Sequence, residues 1–261
     1  MLDKLRRIIA KNRESQRLFW VYFFCIKDLV YHEKETNKGI YFLYLIFRLI
    51  RLRGNIKKLQ WEEVHQKFEL NWHRHENYRW DNNKFLDQWT DILSNFLKLT
   101  PESFTAGQII MDVGCGSRPT LDWFSNSHCQ KYYIDPLLDV YKNIAEVKKF
   151  WEDKKSHSLL ALPAEHYIEF LVNKCDLIIC WNVLDHTYDW RIILHNITQY
   201  CKEGGAVCIG TDFESHGIGH PGIDDKGYFL AFIKKYYRIN EKKENYFDRE
   251  LALSLQRNKT I

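Results

Sequence analysis

No two of the seven cysteines are spaced Cys-x-x-Cys, and no set of them has the spacing of a zinc site. The odd count, with several thiols inside apolar runs, suits buried, reduced thiols in a cytosolic protein. No apolar run approaches the roughly 18 to 20 residues that cross a bilayer. The run over 18–26 is short and lacks a small-residue cleavage site, and the run over 40–47 is cut off by Arg48, Arg51 and Arg53. Neither a secretory signal nor a membrane-spanning helix is therefore expected. Concentrated positive charge is missing as well: Lys and Arg total 38 against 34 Asp and Glu, a net charge of +4, which argues against a nucleic-acid partner. Internal repeats and low-complexity segments are absent.

What is present describes a packed protein. Hydrophobic residues make up 45% and aromatics 15% of the chain, far more than a disordered sequence carries. The 261 residues suit one α/β domain with an appendage.

Residues 1–60 contain no glycine before Gly39 and place Leu2, Leu5, Ile8 and Ile9 at helical spacing. They predict a basic amphipathic helical extension. Such a segment either lies in a membrane interface, its arginines drawn to anionic lipid, or packs on the following domain with its arginines solvated. The expected location is cytoplasmic, with peripheral attachment to the inner face of the membrane in the first case. Over 61–107 a helical cap is expected, because Phe85, Leu86, Trp89, Ile92, Leu93, Phe96 and Leu97 recur on one face and Pro101 closes the helix. His65, His73 and His75 with Trp72, Tyr78 and Trp80 add a group of imidazoles and aromatics suited to a sugar ring or to cap packing.

From Gln108 the pattern changes. QIIMDVG, KYYID, SLLAL, CDLIICW and GAVCIGTD are short apolar runs separated by stretches long enough for helices. That alternation predicts an α/β, Rossmann-like, doubly wound and mostly parallel sheet over 108–261. The tail is mixed, with a strand-like YYRIN at 236–240 and weak signals afterwards.

Two strand ends carry the chemistry. The first runs into Asp112-Val113-Gly114-Cys115-Gly116, a turn whose glycines let the backbone approach a ligand, with a helix expected next. The dinucleotide fingerprint needs a third glycine near Pro119, and none is there, which weighs against a nicotinamide cofactor. Asp112 would repel a pyrophosphate but suits a ligand bearing an ammonium group. The second strand closes on Asp135 at the spacing where an acid can accept hydrogen bonds from the two ribose hydroxyls of an adenosine; a simple helix cap is the alternative.

DVGCGSRP, YYIDPL, LPAEHY, CDLIICWNVLDHTYDW and CKEGGAVCIG, in this order, resemble the class I S-adenosylmethionine (SAM)-dependent methyltransferases over 108–212. NVLDHTYDW also looks like a subgroup with an LDHxxD sequence after strand four. The resemblance implies SAM as cofactor, with Asp112, Gly114, Cys115 and Gly116 lining its methionine end and Asp135-Pro136 holding the ribose. It further places Ala164 and Glu165 by the adenine and turns Asn182 and Val183 toward the methyl donor. One departure is Arg118-Pro119, which replaces the third glycine common in the family's first motif.

Methyl transfer requires alignment of the acceptor and, for a hydroxyl, removal of its proton. Candidate catalytic groups are His186, with Asp185 to orient it, and His216 and His220 in the glycine-rich loop after strand five. Each has a structural alternative as a cap or loop residue. Together with Asp212 the loop histidines could be read as a metal site, but no metal is expected, since such side chains on loops often converge on nothing. The expected activity is O-methylation of a small molecule or a sugar or glycan intermediate. The alternatives are a catalytically silent SAM-fold protein binding through its N-terminal helices, or a nicotinamide-dependent oxidoreductase.

Overall fold

A computed structural model describes residues 61, 66–67, 69–70, 82–124, 128–152, 158–214, 222–247 and 249–259. The extension expected over 1–60, the imidazole-aromatic group at 65–80 and the loop histidines His216 and His220 lie outside the described residues. Two compact units divide the chain, Met1–Lys67 and Phe68–Ile261, and all that follows concerns the second.

Seven strands form one sheet: β1 (Ile109–Val113), β2 (Gln130–Ile134), β3 (Leu159–Leu160), β4 (Cys175–Trp181), β5 (Cys201–Thr211), β6 (Tyr237–Tyr246) and β7 (Arg249–Arg257), in the order β3-β2-β1-β4-β5-β7-β6. β1 pairs in parallel with β2 and β4, β2 with β3 and β4 with β5, whereas β7 runs antiparallel between β5 and β6. The expected Rossmann-like sheet is thus present. Its order reverses at β1, so the crevice between the carboxyl ends of β1 and β4 is where an open α/β sheet takes its ligand.

Both faces of the sheet are covered, which explains why its strands are continuous apolar runs rather than alternating ones. On one face Met111, Val113, Ile178 and Val207 pack against α4 (Trp190–Tyr200) and α5 (Lys226–Tyr236) through Ile193, Leu194, Ile197, Phe229 and Ile233. Each such Ile or Leu side chain contributes about 1.5 to 3 kcal/mol by leaving water. Aspartates start both helices: Asp189 accepts from the Arg191 and Ile192 N–H groups, and Asp225 from that of Tyr228.

The opposite face is covered by α1 (Asn82–Thr90) and its continuation Asp91–Phe96, in which the Leu97 N–H bonds five residues back to Ile92. Trp89, Ile92, Leu93 and Phe96 are buried there with Ile110, Tyr133, Leu177, Ile179 and Trp181, so the apolar stripe read in the sequence is part of the sheet's own core. Trp181 lies on Gly210 of β5, where a Cβ would stand 2.5 Å from the indole. The two short helices α2 (Leu138–Tyr141) and α3 (Ala145–Lys148) complete this layer with Leu138, Tyr141 and Val147.

Two features differ from expectation. The helix anticipated after the glycine turn is a single 3₁₀ turn, Thr120–Trp123, preceded by Pro119 in an extended conformation. The weak tail contains β7, whose Leu251–Leu255 stretch is buried at every position between two neighbours.

Candidate functional site at the carboxyl edge of the sheet

The ends of β1, β2, β4 and β5 and the start of the reversed β7 meet at one edge. At β1, Gly114 and Gly116 adopt φ +68° and +61°, conformations costly for residues with a Cβ. The Gly114 and Cys115 N–H groups both bond the Ile134 carbonyl, and the Gly116 N–H donates to Asp135 Oδ2 at 3.0 Å. The Leu137 N–H takes Asp135 Oδ1 at 2.8 Å. Turn and acid are therefore one hydrogen-bonded unit, with Pro136 half-buried beside it, and each Asp135 oxygen retains acceptor capacity. Burial pushes the Asp135 carboxyl up to about 6.

Asp112 is 3% exposed. Thr120 donates to it, yet its Oδ2 has no hydrogen-bond partner among the described residues. Burial drives its carboxyl up to about 7. An unmatched buried carboxylate oxygen fits a ligand that brings a cation or a donor. The Cys115 thiol is buried and pushed well upward by burial, so it is protonated and inert.

Glu165 repeats this situation beyond β3: its Oε2 is buried with no hydrogen-bond partner among the described residues, and burial raises the carboxyl to about 7. Its backbone is fixed from α4, where Asn196 Nδ2 donates to the carbonyls of Ala164 at 3.0 Å and Glu165 at 3.1 Å.

After β4, Asn182 has φ +59° and donates its N–H to the Gly210 carbonyl at 2.7 Å. Val183 packs into the Gly114 turn. Asp185 is fully buried, accepting from the Thr211 hydroxyl at 3.3 Å, and its Oδ2 lies 3.4 Å from His186 Nε2. His186 Nδ1 lies 2.8 Å from Glu69 Oε1, and Nε2 lies 3.2 Å from Asn182 Oδ1. Arg249, at the start of β7, donates to Asn182 Oδ1 and, at 2.7 Å, to Asp212 Oδ2. Burial disfavours the His186 charge, but the Asp185 and Glu69 carboxylates outweigh it and the imidazole is raised above its ordinary value.

The structure thus brings Asp112, Gly114, Cys115, Gly116, Asp135 and Pro136 into one cluster. Asn182, Asp185, His186 and Asp212 form a second at the same edge, and Val183 joins the two. Among the described residues no group of His, Cys, Asp and Glu side chains is arranged to hold a metal ion. Three contributors escaped sequence reasoning. Glu69 has no flanking motif, Asn196 sits mid-helix, and Arg249 becomes visible only once the run after it is recognised as a strand reversed in the sheet.

A family model described as a methyltransferase domain matches residues 78–257. The fold is similar to that of the N-methyltransferase NodS from Bradyrhizobium japonicum WM9, crystallised with S-adenosylhomocysteine, at 16% identity over 75% of this chain and 98% of that one, TM-score 0.51. It is similar to the PH0226 protein from Pyrococcus horikoshii OT3 at 12% identity, covering 72% and 96% of the two chains, TM-score 0.52. The 1,6-didemethyltoxoflavin-N1-methyltransferase of Burkholderia thailandensis, with bound 1,6-didemethyltoxoflavin and S-adenosylhomocysteine, shares 12% identity over 74% and 88%, TM-score 0.50. No curated protein matches the chain.

Proposed function

Since the chain belongs to the class I SAM-dependent methyltransferases, we propose that it transfers a methyl group to an oxygen of a small molecule or of a sugar or glycan intermediate. The observation that carries the cofactor half is Asp112, a buried carboxylate with an unmatched oxygen beside the glycine turn and Asp135. SAM supplies the electrophilic methyl group on its sulfonium. In this reading Asp112 faces its ammonium group, Asp135 accepts from its ribose, Ala164 and Glu165 border its adenine, and Asn182 and Val183 lie toward the acceptor. The family match leaves the nicotinamide reading without support.

A hydroxyl acceptor has to lose a proton. Both ring nitrogens of His186 face oxygens of the protein, so in this proposal the proton goes to His216 or His220, which follow β5 in the sequence. A second reading, methylation of nitrogen, is favoured by the acidic surroundings of the β4 tip: Asp185, Asp212 and Glu69 stand around His186 and Arg249, a setting that suits a basic acceptor. Methyl-labelled SAM with matched hydroxyl and amine acceptors, followed by mass spectrometry of the product, separates the two. No product with either class, despite SAM binding, rejects both and favours a silent binding protein.

The same proposal has residues 1–60 attach the enzyme to the anionic inner face of a membrane. Its support is the apolar run over 40–47 followed by three arginines. Among the described residues no helix is long and apolar enough to cross a membrane. Equal sedimentation of the full chain and a chain lacking 1–60 with anionic vesicles rejects the attachment.

A further inference from the structure

His186 is bonded in a way that fixes its proton count. An arginine has donors and no acceptor, so the atom of Asn182 that meets Arg249 Nη1 is the amide oxygen. That same Oδ1 is the atom facing His186 Nε2 at 3.2 Å, and the other oxygen near Nε2 is Asp185 Oδ2 at 3.4 Å. An unprotonated Nε2 would direct its lone pair at two acceptors. On the other side of the ring, Nδ1 meets Glu69 Oε1 at 2.8 Å, a distance that calls for a proton between them. Asp212, bonded to Arg249, keeps the guanidinium aimed at Asn182, and Thr211 occupies Asp185 Oδ1, leaving Oδ2 toward the imidazole.

We infer that His186 is held doubly protonated, as a fixed imidazolium positioned by Glu69 and Asp185, and is not the proton acceptor of the reaction. Glu69, Asp185 and Arg249 are its positioning residues: the two carboxylates balance the charge, and Arg249 prevents the Asn182 amide from turning its NH₂ group toward Nε2. The cation then ties Glu69, a residue of the segment preceding α1, to the tip of β4 through a charge-assisted bond. Asn182, whose backbone is left-handed and bonded to Gly210, belongs to the same buried network through its side-chain oxygen. Among the described residues, the groups that face the ring include Glu69, Asp185, Asn182 and, one bond further, Arg249 and Asp212. This assignment is independent of the nature of the acceptor.

The test is ¹⁵N NMR of histidine-labelled full-length protein, with the His186 signals identified by their loss in His186→Gln. The expected result is protonated-type shifts for both ring nitrogens at pH 7.5. A single unprotonated ring nitrogen at that pH overturns the inference whatever the variants do. In Glu69→Gln, with folding verified by S-adenosylhomocysteine binding, the titration midpoint of His186 should fall by about 1 to 3 pH units, the effect of losing one adjacent opposite charge. An unchanged midpoint removes Glu69 from the role assigned to it.

Discussion

Val183 fills the space that a side chain on Gly114 would need: a Cβ there would stand 2.4 Å from Val183 Cγ2. The glycine is accordingly demanded by packing between the tips of β1 and β4, in addition to its φ of +68°. This contact lies at the reversal point of the sheet, so it sets how the Asp112–Gly116 turn and the Asn182–His186 segment face each other.

Gly114→Ala should lower stability through two separable effects. Overpacking against Val183 costs about 1 to 3 kcal/mol, and a left-handed φ for alanine about 1 to 2 kcal/mol. Adding Val183→Ala should recover the packing part and leave the backbone part. Urea unfolding of the two single variants and the double variant measures both. If Val183→Ala offers Gly114→Ala no relief, the proposed clash is wrong.

Asp112→Asn separates ligand binding from folding. The buried carboxylate has an unmatched oxygen, so replacing it by a neutral amide should leave the ligand-free protein as stable or more stable above pH 7. In the proposed pocket the same change removes a charged partner worth about 1.5 to 3 kcal/mol, so affinity for SAM should drop roughly 10- to 100-fold. Calorimetry paired with thermal melts reads both. A stability loss with intact affinity would falsify the role given to Asp112.

The fold was legible where strands are short apolar runs ending in a signal. β1, β2, β4 and β5 coincide with IIMDV, QKYYI, CDLIICW and the run ending in Thr211, because a strand buried on both faces needs apolar residues at nearly every position. β7 obeys the same rule through LALSL, but no turn signal separates it cleanly from β6, and its reversed direction arises from pairing with distant β5. At the site, the glycine turn and Asp135 were readable because their spacing follows from adjacent strands. The Glu69–His186 and Arg249–Asp212 contacts span 117 and 37 residues and exist only once the chain has folded, so no local pattern announces them.

Asn196 tests whether the Glu165 segment is held from outside. Its Nδ2 satisfies the carbonyls of Ala164 and Glu165, so Asn196→Leu should leave both without that donor and cost about 1 to 3 kcal/mol. With Glu165 released, KM for SAM should rise more than kcat falls. Steady-state kinetics compared with denaturant unfolding checks the pair of effects; lost stability with an unchanged KM would mean that the segment does not border the cofactor.

The buried acids also set a pH dependence whose sign can be worked out. Asp112 and Glu165 titrate near 7 and Asp135 near 6 in the folded chain, against about 4 when unfolded. Across that window the folded chain binds more protons than the unfolded one, so the stabilising contribution of these groups is complete below pH about 4 and declines as pH rises toward 7. His186, raised above its ordinary value, acts in the same direction at higher pH: its contribution is complete below about 6.5 and is lost as pH climbs through its folded value. The ligand-free protein should therefore melt at progressively lower temperature from pH 5 to pH 8. With the SAM ammonium beside Asp112, as proposed, the ionised carboxylate is favoured, so the melting gain that SAM confers should grow over the same range. In Asp112→Asn that growth should shrink while the remaining decline persists. Thermal melts at half-unit pH steps, with and without saturating SAM, measure each slope; a ligand gain that stays flat with pH would place the SAM ammonium away from Asp112.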